Sequence, residues 1–380
     1  MMKKIMLLLS FISFFNCKSL SNYINQEIKT TQNNAVPFIL KGNQMVLPIK
    51  INNKRYNFIF DTGSTTSIIT DKSIISKQLG NGKLVKLPDN TKIKVKEEIF
   101  NVDLKILKSK NKVFNTYPVK KRNCDVSNNS GIIGVDFFSL VSQEKIIELN
   151  FNNSTISLIN KKEDIKSKFF NYQEIESDFT MLKNPSIFLS MNGVSKPIKF
   201  LLDTGFDYSI HLNSKLANKI EKDSISAFSG ISGALTLKQE INKKNKILMK
   251  FYTTILKFND LKIRTLAGTS SNIKFNIVGM EFIKKFNWII DFKNKKIYVQ
   301  KNKDYNSNFG FNKKIYNKDI IFGIINNKIT IISKNIKDKK YKVGDYIISV
   351  EGMKITDKNI CSNLDKLNKG KTVEFETNSP

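Results

Sequence analysis

Two copies of one triplet constrain this chain more than any other feature. Asp61-Thr62-Gly63 closes the apolar run Phe58-Ile59-Phe60, and Asp203-Thr204-Gly205 closes Phe200-Leu201-Leu202. Each delivers a carboxylate at the end of a buried strand, with a glycine next that permits a tight turn. A charged Asp behind three large apolar residues is costly to bury unless it is paired or protonated. Each triplet is followed, 73 and 76 residues later, by the glycine of an apolar-apolar-Gly segment: Ile132-Ile133-Gly134 and Ile277-Val278-Gly279. The triplets lie 142 residues apart and those glycines 145 apart, so the chain carries an internal repeat.

The flanking patterns are those of strands. Val46–Ile51 and Arg55–Phe60 read as a hairpin, and Thr91–Lys96 alternates at period two. Each repeat ends in a strand pair, Lys145–Phe151 with Thr155–Ile159 and Trp288–Phe292 with Lys296–Val299. The expected organisation is a first β-rich unit over 35–160, a charged linker over 161–180, and a second unit over 181–302. A last segment over 305–380 reads as strands with a helix from Asn359 to Leu367.

Composition narrows the chemistry. The net charge of +30 invites a nucleic-acid reading, yet only Arg55, Arg122 and Arg264 among 63 basic residues are Arg, the side chain that grips phosphate and reads bases. Lysines are spread evenly among Asn and Ile, without a basic stripe carrying aromatic stacking positions, so no nucleic-acid partner is expected. His211 is the single histidine and the cysteines are Cys17, Cys124 and Cys361. A Ser-His-Asp triad with an independent His, a two-His zinc site and a CxxC pair are thereby excluded. Carboxylates remain as the strong acid–base groups, while His211 reads as a packing residue.

Two Asp-Thr-Gly units in register with their partner strands resemble the retropepsin and pepsin-like aspartic proteases, over nearly all of 45–300. The resemblance implies two pepsin/retropepsin-like β-barrel lobes in tandem, with Asp61 and Asp203 as the catalytic pair. Thr62, Gly63, Ser64, Thr204 and Gly205 would form the active-site loops, and Gly134 and Gly279 the strands packed against them. It implies a peptide or protein substrate, no cofactor, no metal, and a monomer, since both aspartates lie in one chain. Hairpin flaps are expected around Asp89–Val95 and Ser229–Gly233. One departure stands out: Ser64 follows the first triplet, whereas Phe206-Asp207 follows the second.

The two ends add further expectations. Lys3-Lys4 and the apolar run Ile5–Phe15 lead directly to Cys17, a layout that resembles a bacterial lipoprotein signal over 1–17, with Cys17 as the lipidation site. Residues 18–34 then read as a polar tether. An exported protein, periplasmic or on the cell surface and lipid-anchored to the membrane, is the resulting expectation; a simple signal peptide is the alternative. Val343–Gly352, with its Gly344-Asp345 pair, resembles the Gly-Asp strand of a PDZ domain. A small α+β PDZ-like domain is therefore expected at the C-terminus, with Phe309, Gly310 and Phe311 as a peptide-carboxylate loop. Two other function classes stay open: a catalytically silent scaffold that holds peptides, and a basic binder of anionic surfaces.

Overall fold

The computed structural model describes residues 27–30, 35–75, 79–86, 92–119, 129–139, 145–160, 170–181, 184–231, 246–271, 273–309, 319–368 and 374–378. Strand accounts for 58% and helix for 8%, so the chain is mainly β. In the first unit six strands close on themselves. Gln44–Ile51, Lys54–Phe60, Asn129–Ile133, Ile68–Asp71, Leu107–Val119 and Lys92–Asp103 pair in that order, and the last pairs back onto the first. Closure removes the unpaired edges that an open sheet would expose.

The second unit repeats this circuit. Pro185–Met191, Ile198–Leu202, Ile277–Val278, Ile210–His211, Leu261–Ser270 and Lys246–Phe258 close a second ring, with the same parallel and antiparallel pairings. In both rings the strand that ends at the triplet lies parallel to the apolar-apolar-Gly strand: Phe60 stands opposite Ile133, and Leu202 opposite Val278. These strands read as continuous apolar runs because neighbours cover both of their faces. Turn chemistry agrees, with Asn52 and Asn53 both at positive φ between the first two strands.

A six-stranded sheet joins the units, in the order Gln173–Ile175, Lys296–Lys301, Phe286–Asp291, Lys145–Asn150, Thr155–Asn160, Ala35–Pro37. Its centre is an antiparallel pairing in which Ile147 meets Ile290, Glu148 meets Ile289, and Leu149 meets Trp288. Because Glu148 and Ile289 hold equivalent places in their units, a pseudo-twofold axis passes between them. One continuous apolar core runs through both rings and under this sheet. Trp288 is fully buried there and donates from Nε1 to the Ile283 carbonyl at 2.8 Å.

Three stretches depart from the sequence reading. The expected linker 161–180 contains two strands, Gln173–Ile175 and Ser177–Phe179, each paired into a sheet. Glu27–Thr30, inside the expected tether, pairs with Leu107–Val119. Asn308–Phe309, placed at the start of the C-terminal segment, lies parallel to Leu261–Ser270 in the second unit. The segment from 319 onward has a core of its own, in which Phe322, Ile329, Ile331, Ile347 and Val350 pack beneath the helix Ile360–Asn368.

One buried amide links the units across the joining sheet. Asn287 Oδ1 accepts from the Phe151 N–H at 2.8 Å and the Asn152 N–H at 3.3 Å. Asn287→Ala should leave the Phe151 donor without its partner and lower stability by about 2 kcal/mol, measured by chemical denaturation.

Candidate active site

Both triplets leave their strands at the same point and meet across the pseudo-twofold axis. The Asp61 N–H donates to the Ile133 carbonyl and the Asp203 N–H to the Val278 carbonyl, each at 2.9 Å. The threonines then cross over. Thr62 N–H donates to Thr204 Oγ1 at 2.9 Å, and Thr204 N–H donates to Thr62 Oγ1 at 3.1 Å. Each hydroxyl passes its own proton to the opposite unit: Thr62 Oγ1 to the Leu202 carbonyl at 2.5 Å, and Thr204 Oγ1 to the Phe60 carbonyl at 2.8 Å. Both threonines are fully buried, so this reciprocal set has no water to compete with it.

The crossing brings the carboxyl groups together, and Asp61 and Asp203 share a hydrogen bond. Each carboxylate also lies against the other unit's glycine. A Cβ on Gly63 would fall 2.4 Å from Asp203 Cγ, and one on Gly205 would fall 2.5 Å from Asp61 Cγ. Side-chain-free residues are required at both places. Asp61 Oδ1 accepts from the Ser64 N–H at 2.9 Å and Asp203 Oδ1 from the Gly205 N–H at 2.8 Å. Gly134 and Gly279 lie against the loops that follow the two triplets. A Cβ on the first would meet the Ser64 carbonyl at 2.8 Å, and one on the second would meet the Tyr208 carbonyl at 2.3 Å.

Burial raises the pKa of Asp61 from its ordinary value, partly offset by the hydrogen bond with Asp203 and by backbone N–H donors. Burial, and then the neighbouring Asp61 charge, push Asp203 well above the ordinary carboxylate range. Two carboxyls in contact cannot both ionise cheaply, so the pair titrates as one unit that keeps a proton.

Two asparagines that the sequence reading missed complete the frame. Asn184 Nδ2 donates to the Thr62 carbonyl at 2.9 Å and the Gly63 carbonyl at 3.1 Å, from the second unit onto the first loop. Asn43 Nδ2 donates to the Asp207 carbonyl at 2.8 Å, from the first unit onto the second loop. They stand 141 residues apart, nearly the spacing of the triplets, and that spacing was the available signal. Phe206, in the place of Ser64, stacks its ring edge-on to His211 at 6.0 Å and lies 5.5 Å from Tyr208.

His211 is a packing residue, as its sequence context suggested. Its Nε2 accepts from the Ser270 N–H at 3.2 Å and its Nδ1 sits 3.0 Å from the Phe275 carbonyl, which fixes a neutral ring protonated at Nδ1. Of the residues assigned to a peptide-carboxylate loop, Phe309 is instead a core residue. It is fully buried and packs on Phe282 with ring centroids 5.1 Å apart. An apolar side chain next to a closing barrel is more stable filling it than lining a groove. Gly310, Phe311 and Cys17 lie outside the described residues, as do the tips of both expected flaps. The hairpin stems are present: Leu79–Lys86 pairs with Lys92–Asp103, and Asp223–Ile231 with Lys246–Phe258. Among the described residues no group of three His, Cys, Asp or Glu side chains could hold a metal ion, and no helix is long and apolar enough to cross a membrane. No protein-family model matches the chain.

Two outcomes follow from this geometry. Thr62→Val should remove the acceptor of the Thr204 N–H and the donor to Leu202, costing about 3 kcal/mol in denaturant unfolding, whereas Thr62→Ser retains most of that stability. Burial lowers the His211 pKa to about 4, so the unfolded chain takes up a proton at a pH where the folded one does not. Stability should therefore fall as pH drops from about 6.5 toward 4, by about 3 kcal/mol attributable to this ring. In His211→Gln that part of the pH slope should vanish from the denaturation curves.

Proposed function

We propose that this protein is an aspartic endopeptidase, in which a water held between Asp61 and Asp203 hydrolyses peptide bonds. The observation that carries the reading is the shared hydrogen bond between the two carboxyls, each pressed against the opposite unit's glycine. The ionised member takes a proton from the water as it attacks the scissile carbonyl. The protonated member donates to the developing oxyanion, and return of the proton expels the amine. Neither a nucleophilic side chain nor a metal takes part in this scheme. Fixed backbone donors and the crossed threonines keep the carboxyls in place through the cycle, so little reorganisation is needed at the moment of attack.

The architecture supports the same reading: two closed six-stranded rings of identical circuit, which we take as pepsin/retropepsin-like lobes in tandem. Two hairpins project from equivalent places, as covers for an extended substrate would. We read the C-terminal segment as a PDZ-like module: strand Tyr346–Val350 follows Gly344-Asp345, and helix Ile360–Asn368 lies against strand Ile320–Ile325. Cys361 is disulfide-bonded, which fits an exported protein in an oxidising compartment, anchored through Cys17. A catalytically silent peptide-holding scaffold is the second reading, favoured by Phe206 standing where the first loop has Ser64.

Asp61→Asn and Asp203→Asn should each lower peptide cleavage by at least about 10³-fold while the fold is retained, since each removes one half of the proton exchange. Peptide bound as tightly as before, with no cleavage by the unsubstituted protein either, would establish the scaffold instead. Stability gives an independent check with a definite sign. A carboxyl whose folded pKa is raised stabilises at pH below the unfolded value and loses that contribution as pH climbs through the folded value. Asp203→Asn should thus raise the melting temperature at pH 7 to 8, and the gain should shrink toward pH 4.

A further inference from the structure

The two hairpins occupy equivalent places and have different surroundings. In the first, residues 83–86 pair with 92–95, and among the described residues nothing pairs with the outer edge of Leu79–Lys86. Its base packs on the ring, where Ile93 and Val95 are buried with Val85 against Tyr117 and Ile132. In the second, Asp223–Ile231 pairs on both edges. Lys246–Phe258 lies on one side, and strand Lys328–Asn335 of the C-terminal segment lies on the other, antiparallel, with Phe228 opposite Asn335, Ser229 opposite Lys334 and Gly230 opposite Ser333.

The junction is closely fitted. The Ile336 N–H donates to the Ala227 carbonyl at 3.1 Å, and Ser333 Oγ donates to the Ser229 carbonyl at 3.3 Å. A Cβ on Gly230 would stand 2.9 Å from Met249 Cε on the neighbouring hairpin strand, 3.2 Å from Ser333 Oγ and 3.3 Å from the Ile332 carbonyl, so that position has little room for a side chain. From the same strand an aromatic row leads back to the Asp203 loop. Phe228 packs on Phe251 at 5.8 Å, Phe251 on Tyr208 at 5.9 Å, and Tyr208 on Phe206 at 5.5 Å.

We propose that strand Lys328–Asn335 is a positioning element of the cleft. It holds the second hairpin as a fixed wall, tied through the aromatic row to the Asp203 loop. The C-terminal segment thereby sets how firmly an extended peptide is gripped, without touching it. This last step rests on the peptidase reading; the bracing of the hairpin does not.

Hydrogen exchange in the full-length protein tests it. Ile336→Pro removes the donor to Ala227 from a half-exposed position, and Gly230→Val drives a side chain into the junction from the other strand. In both variants amides of 226–231 and 246–249 should exchange at least about tenfold faster, while 83–86 and 92–95 keep their wild-type rates. With peptide substrate, KM should rise severalfold at unchanged kcat. Unchanged exchange in the second hairpin would overturn the proposal, as would equal acceleration of both hairpins, which marks general loosening. Faster exchange with an unaltered KM would overturn the positioning role. Faster exchange in a protein whose wild type cleaves no peptide would uphold the brace and remove the peptidase reading alone.

Discussion

Everything at the centre of this molecule depends on four hydrogen bonds exchanged by two threonines. Each hydroxyl accepts from the opposite threonine's N–H and donates to a carbonyl at the end of the opposite triplet strand. A side chain that could only donate, or only accept, would satisfy half of this set and leave a buried polar group alone. Serine or threonine is needed, and the threonine methyl also fills space where both residues are fully buried. With the loops locked at this point, the carboxyls one residue earlier have nowhere to stand except against each other. The contact between the carboxyls is thus set by the residue that follows each acid in the chain.

That geometry was legible in the sequence because it repeats. A carboxylate after three large apolar residues is unusual once, and a second copy at a matched distance from its own glycine strand leaves little freedom for the two sites. The joining strands, Lys145–Asn150 with Thr155–Asn160 and Phe286–Asp291 with Lys296–Lys301, were equally readable from local apolar patterning and Asn-rich turns. Lys246–Phe258 was not: thirteen residues mixing lysines and apolar side chains show no clean period two, because the strand changes neighbours along its length. Phe309 misled for a similar reason. A Phe-Gly-Phe stretch looks alike whether the ring pads a barrel or borders a loop, and the parallel partner that decides the matter, Leu261–Ser270, is some forty residues away. Asn43 and Asn184 act across the axis, so nothing beside them in the chain announces their partners.

Departures from the repeat spare the contacts that lock the two triplets together. The crossed threonines, the two glycines against the acids and the parallel strand pairs are matched one for one. The loop after the second triplet, the neighbours of the two hairpins and the strand added at 308–309 are not. Positions inside the symmetric frame have an equivalent whose geometry depends on them, and a change in one unit strains the other. Beyond these contacts the second unit carries an aromatic loop and pairs with the C-terminal segment.

The residues on the pseudo-twofold axis carry the same asymmetry. Glu148 faces Ile289, and its carboxylate is engaged by Ser157 and Asn150 of its own half and by Tyr172 of the segment that connects the halves. Two copies of the first half, associating as the halves do here, would set Glu148 against its own duplicate at the middle of the sheet, like charge on like charge. Two copies of the second half would place isoleucine on isoleucine and meet no such repulsion. Pairing of the amino-terminal half with a copy of itself is thereby disfavoured, and the joining sheet selects for two unlike halves.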